Sequence, residues 1–126
     1  NFDHPNIVKL LGVCLEGPKE YIILELMEGG DLLNFLRASY ESRAEFSSPT
    51  DSFPSQVSLR DVLSMLIDIG RGGAYLESNR HVHRDLAARN CLISSRAPHS
   101  HRVTKIGALR FPPDQNETNV SEGELL

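Results

Sequence analysis

An aspartate and an asparagine five positions apart, with an arginine between them, are the residues of this sequence best suited to chemistry. They are Asp85, Arg89 and Asn90. Transfer of a phosphoryl group needs a carboxylate beside the attacking hydroxyl and ligands for magnesium, because the protein contributes positioning and charge rather than covalent bonds. Asp85 could accept the proton of the hydroxyl, and the amide oxygen of Asn90 is a hard ligand of the kind that Mg²⁺ prefers. Arg89 would hold the Asp85 carboxylate ionised and oriented.

Histidines near this loop allow a second chemistry. His81, His83 and Asp85 form an HxHxD pattern, and His99 with His101 forms a further HxH pattern. Imidazole and carboxylate groups are common zinc ligands, so the two patterns together could form the metal site of a hydrolase. A metal titration would separate this hypothesis from phosphoryl transfer.

Composition and charge exclude several classes of protein. The 126 residues are 40% hydrophobic and 24% charged, which is ordinary for a globular protein. The net charge of -4 gives no field that attracts polyanions, so we expect no nucleic-acid partner. Cys14 and Cys91 lie far apart and predict neither a disulfide framework nor a metal knuckle. No apolar stretch approaches the roughly 20 residues that a membrane helix needs.

The first half of the chain is predicted to form a hairpin and a short helix. Residues 7 to 15 and 21 to 26 are typical of strands, and Gly17-Pro18 between them predicts an antiparallel turn. Gly29-Gly30 should end the second strand. Asp31 should then cap an amphipathic helix that ends near residue 39. From about 40 to 57 the sequence turns to serine, proline and charge, which predicts an exposed insert.

The longest predicted helix begins after Ser58, with Asp61 as the acidic partner of a capping box. Five apolar residues predict its buried face: Leu59, Val62, Leu63, Leu66 and Ile69. Gly70, Gly72 and Gly73 each cost about 1 kcal/mol relative to alanine inside a helix. The second half of the helix must therefore be held by packing, or by the backbone of another chain that approaches closely. A polar loop follows, and then two short strands at residues 91–93 and 103–106.

The polar loop resembles the catalytic loop of protein tyrosine kinases at eight consecutive positions, His83-Arg84-Asp85-Leu86-Ala87-Ala88-Arg89-Asn90. His4-Pro5-Asn6-Ile7 resembles the turn into the family's fourth strand, and residues 21 to 32 resemble its fifth strand and hinge. The hinge is most similar to the Ros/sevenless type of receptor tyrosine kinases, with the anaplastic lymphoma kinase group next. The resemblance covers residues 1 to 107 apart from the insert.

This resemblance implies an α+β fold, a partial protein-kinase-like fold. It would hold the last strands of the N-lobe, the hinge, the first helices of the C-lobe and the catalytic loop. We expect a partial kinase domain over residues 1–111 and an irregular tail over 112–126 in place of the activation segment.

The resemblance also implies a site for ATP at the hinge. Its members would be Leu24, Glu25, Met27, Gly30, Asp31 and Leu92. Leu24 resembles the gatekeeper residue, and the backbone of Glu25 and Met27 would contact adenine. Asp31 would lie near the ribose, and Leu92 would pack under the adenine ring.

For the catalytic loop, the resemblance implies that Asp85 is the base, Arg89 its support and Asn90 a ligand of Mg²⁺. His83 would be a structural histidine without a catalytic role, and this accounts for the first cluster of the zinc hypothesis. The substrates would be ATP and proteins that carry tyrosine. The parent would be a single-pass plasma-membrane receptor that dimerises through regions outside this chain, which would be a cytoplasmic segment of it.

The sequence also departs from the family. The glycine-rich loop, the strand lysine and its glutamate would all precede Asn1, and most of the helical lobe would follow Leu126. After Gly107 the family continues Asp-Phe-Gly, whereas this chain reads Ala108-Leu109-Arg110-Phe111, which replaces a magnesium-binding aspartate by alanine. No tyrosine follows Tyr75 that could be phosphorylated in an activation segment.

Two functional hypotheses follow. In the first, the parent protein transfers the γ-phosphoryl of ATP to protein tyrosine, this chain alone is inactive, and an incomplete or mis-joined gene model explains the missing Asp-Phe-Gly. In the second, the chain is a pseudokinase or truncated isoform that acts as an interaction module. Stabilisation of the protein by nucleotide would separate the two hypotheses.

Overall fold

The computed structural model describes residues 2–45, 57–97 and 101–107. The elements follow one another in the order β1 (Leu10–Cys14), β2 (Tyr21–Leu24), β3 (Gly30–Asp31), α1 (Leu32–Glu45), α2 (Leu59–Ser78), a 3₁₀ helix (Ala88–Asn90), β4 (Cys91–Ile93) and β5 (Thr104–Ile106). Two small sheets and two helices confirm the predicted α+β class. The predicted tail, residues 112–126, lies outside the described residues, so the proposed division into a domain and a tail stays a prediction.

The first sheet is the predicted antiparallel hairpin of β1 and β2. Leu10 pairs with Leu24 and Cys14 with Tyr21. Both strands are shorter than predicted, and the turn between them contains Gly17 in the left-handed region at φ 101°, which glycine adopts without a steric penalty. Every residue of β2 is exposed.

The second sheet has the order β3-β4-β5, and all its pairs are antiparallel. The strands β4 and β5 were predicted, but β3 was not. Gly29-Gly30 was expected to end the second strand, but that strand already ends at Leu24, and Gly30 itself pairs with Ile93. The reason is a close approach of two backbones: the N–H of Gly29 donates to the carbonyl of Ile93 at 3.0 Å. A Cβ at Gly29 would lie 2.5 Å from Cγ1 of Ile93, so only glycine fits.

Helix α1 begins as predicted and ends later than predicted. The Asp31 carboxylate accepts the N–H of Asn34 at 2.9 Å, which is the expected cap. The predicted end near Ser39 is wrong, because the helix continues to Glu45. No glycine or proline interrupts residues 40–45, so nothing in the backbone stops the helix there. The remaining residues of the predicted insert, 46–56, lie outside the described residues.

Helix α2 has the predicted capping box. Ser58 Oγ accepts the N–H of Asp61 at 3.2 Å, and Asp61 Oδ2 accepts the N–H of Ser58 at 2.7 Å. The helix runs through its three glycines to Ser78. One of them, Gly72, faces the backbone of Asn6.

The predicted buried face of α2 is partly wrong. Leu59, Leu63 and Leu66 have exposed fractions of 75%, 51% and 59% among the described residues. The face that packs on the core is formed by Val62, Met65, Ile69, Gly72 and Leu76. Apolar residues lie on two sides of this helix, so periodicity alone could not distinguish the covered side from the exposed one.

The core lies between the three-stranded sheet and the helices. Ile7, Ile93 and Ile106 are at most 1% exposed. The segment that holds Ile7 runs parallel beside β5: the N–H of Val8 donates to Ile106, and the N–H of Ile106 donates to Asn6, both at 2.9 Å. None of the helices in these three described ranges has the length and hydrophobicity to cross a membrane.

Candidate active site

The three predicted catalytic residues lie together in the loop between α2 and β4. Nη2 of Arg89 donates to Oδ1 of Asp85 at 2.5 Å. Nδ2 of Asn90 donates to the backbone carbonyl of Asp85 at 2.8 Å and to its Oδ2 at 3.1 Å. The carboxylate is thus held from two sides, while the side chain of Asp85 stays 38% exposed and can be reached by another molecule.

His83 fixes the start of this loop from inside the protein. It is 7% exposed, and its Nε2 lies 2.7 Å from the carbonyl oxygen of Gly107. Its Nδ1 accepts the N–H of Asp85 at 3.2 Å. Because Nδ1 is the acceptor, Nε2 carries the proton and donates it to Gly107. Both ring nitrogens are used within the chain, which agrees with a structural role.

The backbone of the loop adopts an uncommon conformation at Arg84, where φ is 69°. Arg80, at the end of α2, has φ of 55°. Left-handed backbone costs a non-glycine residue about 1 kcal/mol or more, and it persists where surrounding contacts determine it. Here the His83 anchor precedes Arg84 and the Asp85 contacts follow it, so the loop is bent between two fixed points.

Gly107 connects the loop to the end of β5. Its N–H donates to the carbonyl of Asn90 at 2.8 Å, and its own carbonyl accepts from His83. A Cβ at Gly107 would lie 3.4 Å from Asn90 and from Val8. The two ends of the catalytic loop and the chain leaving β5 therefore meet at one residue.

Glu25 lies where the hairpin meets the second sheet. Its carboxylate accepts from Nζ of Lys105 at 2.7 and 2.9 Å and from the N–H of Lys9 at 2.7 Å. Burial raises the pKa of Glu25, but these hydrogen bonds and the two lysine charges outweigh it, so the pKa lies below its ordinary value. The N–H of Glu25 donates to the carbonyl of Lys9 at 2.9 Å.

Met27 begins a tight turn that Gly30 closes, and Asp31 follows this turn directly. The carbonyl of Met27 accepts the N–H of Gly30 at 3.1 Å. The carboxylate of Asp31 accepts the N–H and side-chain amide of Asn34, at 2.9 and 2.8 Å. The hydrogen bond from the Asn34 backbone is the largest cause that lowers the pKa of Asp31. Asp31 is thus a helix cap whatever else it binds.

The remaining residues of the predicted nucleotide set are divided between the two sheets. Leu92 is half-buried on β4 and pairs with Asp31, and Gly30 pairs with Ile93 beside it. Leu24 belongs to the hairpin and is 49% exposed. The structure therefore brings Gly30, Asp31 and Leu92 together.

Sequence reasoning missed three basic residues that join these parts. Lys105 pairs with Glu25 across 80 positions of sequence. Arg96 donates to Gly29, and Arg102 is buried beside Phe35. The only signal in the sequence was a lysine inside the apolar strand β5, where a charge needs a partner.

The zinc hypothesis finds no support in the described residues. No group of three or more histidine, cysteine, aspartate or glutamate side chains among them is arranged to hold a metal ion. The ring of His81 packs edge-on against Phe2, with centroids 5.0 Å apart. His99 lies outside the described residues.

Comparisons with known proteins agree with the loop and the fold. A family model described as "Protein tyrosine and serine/threonine kinase" matches residues 1–124. The proto-oncogene tyrosine-protein kinase ROS of Gallus gallus is 52% identical over 99% of this chain, and that of Homo sapiens is 50% identical over 99%. Protein sevenless of Drosophila melanogaster is 43% identical over 100% of the chain.

These alignments cover a small part of the relatives. The chain spans 5% of each of those three proteins, and 30% of the transforming protein ros of UR2 avian sarcoma virus, to which it is 52% identical. The match is therefore to one region of much longer proteins.

Proposed function

The chain belongs to the protein tyrosine and serine/threonine kinase family, and on that basis we propose that its full-length protein transfers the γ-phosphoryl of ATP to tyrosine side chains of proteins. The observation that carries the proposal is the arrangement of Asp85, Arg89 and Asn90. Their contacts leave one exposed carboxylate held in a fixed direction. The family resemblance to the ROS and sevenless proteins supports tyrosine as the acceptor.

Asp85 is the catalytic base in this proposal. It accepts the proton of the tyrosine hydroxyl as the oxygen attacks phosphorus, and such a base contributes about 10²- to 10⁴-fold to a rate. Arg89, 58% exposed, stays paired with Oδ1 and keeps the carboxylate turned toward the substrate. This exposed ion pair acts through orientation, since such pairs add little to stability.

Asn90 is the proposed ligand of Mg²⁺ in this chain. Its amide nitrogen is occupied by Asp85, which turns the amide oxygen away from that carboxylate. An amide oxygen is a hard donor that suits magnesium. When bound, the metal neutralises charge on the phosphates. Asn90 is the one ligand proposed in this chain, since alanine stands at position 108, where the family has its magnesium-binding aspartate.

At the hinge, the adenine end of ATP is proposed to bind the backbone of Glu25 and Met27. The N–H of Glu25 is used by Lys9, so its carbonyl is the group available to adenine. Leu24 would be the gatekeeper residue, Leu92 would pack under the adenine ring, and Asp31 would lie near the ribose. These contacts rest on the family resemblance.

Beyond the site, we propose that this chain is the cytoplasmic segment of a single-pass plasma-membrane receptor, with dimerisation through other regions. Its likeness to ROS and sevenless supports that placement. Neither these relatives nor the described residues favour the alternative of a non-catalytic interaction module.

The test is Asp85→Asn in the full-length protein, with phosphotyrosine formed on a tyrosine peptide as the measurement. The rate should fall about 10²- to 10⁴-fold, and binding of ATP should be retained because Asp85 is not at the hinge. Asp3→Asn, at an exposed position near the start of the chain, is the matched control and should leave the rate unchanged. An Asp85→Asn protein with the wild-type rate would disprove the assignment.

A further inference from the structure

The backbone of the hinge accepts a hydrogen bond from a side chain that has no role in the proposed chemistry. Nε of Arg96, in the connection between β4 and β5, donates to the carbonyl oxygen of Gly29 at 2.5 Å. The N–H of Gly29 donates to the carbonyl of Ile93 at 3.0 Å. Both polar groups of Gly29 are therefore fixed by the β4 side of the molecule.

The connection that carries Arg96 is itself anchored on both sides of this residue. Nε of Arg102 donates to the carbonyl of Ser95 at 3.0 Å, and its Nη2 donates to the carbonyl of Ala97 at 2.8 Å. A third nitrogen, Nη1, lies 3.4 Å from Oδ1 of Asp61. The Arg102 side chain is 4% exposed, and burial of a charge is tolerated when hydrogen bonds and an opposite charge compensate it.

Arg102 also connects the segment that carries Arg96 to the two helices. Its guanidinium lies 4.7 Å from the ring centroid of Phe35 on α1, and its partner Asp61 lies in the first turn of α2. A cation over an aromatic face gains further from the low dielectric around it. The segment that carries Arg96 is therefore supported by both helices, through Arg102.

The hydrogen bond from Arg96 lies close to the groups proposed to bind adenine. Gly29 is inside the turn closed by the hydrogen bond from Gly30 to the carbonyl of Met27. Gly30 has φ of 70°, and its hypothetical Cβ would lie 3.4 Å from Nη2 of Arg96. A change in the Gly29 peptide would rotate the Met27 peptide with it, because the two share one four-residue turn.

From these contacts we propose that Arg96 is a positioning residue for the nucleotide, which acts through the Gly29 carbonyl to orient the backbone of Met27. The inference rests on the proposed binding of ATP at the hinge. It requires of residue 96 a long side chain that can bring a nitrogen donor to the Gly29 carbonyl, as Nε of Arg96 does. Lysine should therefore replace arginine in part, and alanine should not.

The experiment compares Arg96→Ala, Arg96→Lys and the control Arg71→Ala in the full-length protein. Arg71 is an exposed arginine of α2 outside the site. The first measurement is the Kd of trinitrophenyl-ATP. We expect it to rise about tenfold in Arg96→Ala, to return to within about twofold in Arg96→Lys, and to be unchanged in Arg71→Ala, as loss of one charge-assisted hydrogen bond predicts. The KM for ATP should follow the same order while kcat changes by less than about twofold.

The second measurement is amide hydrogen exchange over residues 26–31, which does not depend on activity. Exchange there should quicken in Arg96→Ala and recover in Arg96→Lys. If wild type binds the probe and Arg96→Ala binds it with the same Kd, the inference is overturned while the proposed function stands. If wild type binds neither the probe nor ATP, the proposed function fails and this inference falls with it.

Discussion

Gly72 of α2 lies against the carbonyl oxygen of Asn6, so closely that a Cβ at position 72 would be 2.7 Å from that oxygen and 3.0 Å from Cδ1 of Ile106. This contact joins the longest helix to the segment beside β5. The sequence predicted that packing, or the backbone of another chain, must compensate for glycine here. At Gly72 the close backbone belongs to this same chain, at Asn6.

Gly72→Ala should destabilise the protein although alanine is the better helix former. The added methyl group meets a backbone oxygen that is held by the N–H of Ile106, and such overpacking costs about 1 to 3 kcal/mol. The gain in helix propensity is about 1 kcal/mol. The matched control is Gly70→Ala, where nothing lies within 4 Å, and this variant should be stabilised by up to about 1 kcal/mol. Amide exchange of α2 in the full-length protein measures both free energies, and equal effects at the two positions would contradict the structure.

The Glu25–Lys105 pair predicts a dependence on pH. A carboxylate whose pKa is lowered on folding contributes stability above its ordinary value of 4.5 and loses it as the pH falls through the lowered pKa. Lys105→Ala removes the hydrogen bonds and the charge by which this lysine lowers the pKa of Glu25, whereas the burial that raises this pKa remains. The pKa of Glu25, followed by carbon NMR of its carboxyl group, should therefore rise in this variant.

The control for that titration is Lys19→Ala, at an exposed position near the hairpin turn. It should leave the Glu25 pKa where it is in wild type. The destabilisation caused by Lys105→Ala should shrink at low pH, because protonated Glu25 no longer attracts lysine. A destabilisation that is independent of pH would mean that the lysine stem, and not its charge, matters.

Asn90→Ala should raise the requirement for magnesium. The variant removes the proposed oxygen ligand and also the two hydrogen bonds that reach Asp85. We expect the Mg²⁺ concentration for half-maximal activity to rise about 10- to 100-fold, as is common when the shell of a metal site is altered. Asn79→Ala, at the end of α2, should leave that concentration unchanged. Wild-type magnesium dependence in Asn90→Ala would remove Asn90 from the metal site.

The ring of His83 should be found with its proton on Nε2. Nitrogen-15 chemical shifts distinguish the two tautomers, and the donor to Gly107 must be the protonated nitrogen. His83→Phe fills the space but leaves the Gly107 carbonyl and the Asp85 N–H without these partners, which costs about 1 to 3 kcal/mol for each buried group left unsatisfied. If the proton were found on Nδ1, this nitrogen could not accept the N–H of Asp85, and the contact described here would be wrong.

Local signals in the sequence predicted the local parts of the structure. Ser58 and Asp61 are three residues apart, and their capping box forms as the spacing requires. The loop from His83 to Asn90 likewise predicted that Arg89 holds the Asp85 carboxylate, and the two side chains are hydrogen-bonded four positions apart. These features need only neighbouring residues, so no knowledge of the tertiary fold was necessary.

The remainder depends on contacts between distant residues. Glu25 and Lys105 are 80 positions apart, and Gly29 and Arg96 are 67 apart. The apolar residues of α2 could have faced either side, and only the position of β5 shows that Met65 is covered and Leu66 is not. The roles proposed for Leu24 and Leu92 likewise came from family likeness, since an apolar residue has no pattern that marks it for a ligand.

Strand β4 begins directly after Asn90 and ends at Ile93, which pairs with Gly30 of the hinge. Three residues of extended chain thus separate the catalytic loop from the hinge, a span of about 10 Å at the usual rise per residue. The length of β4 therefore fixes the distance between the hinge and the catalytic loop. A ligand that contacts both must match this distance, so the backbone alone would discriminate between long and short ligands, independently of the side chains.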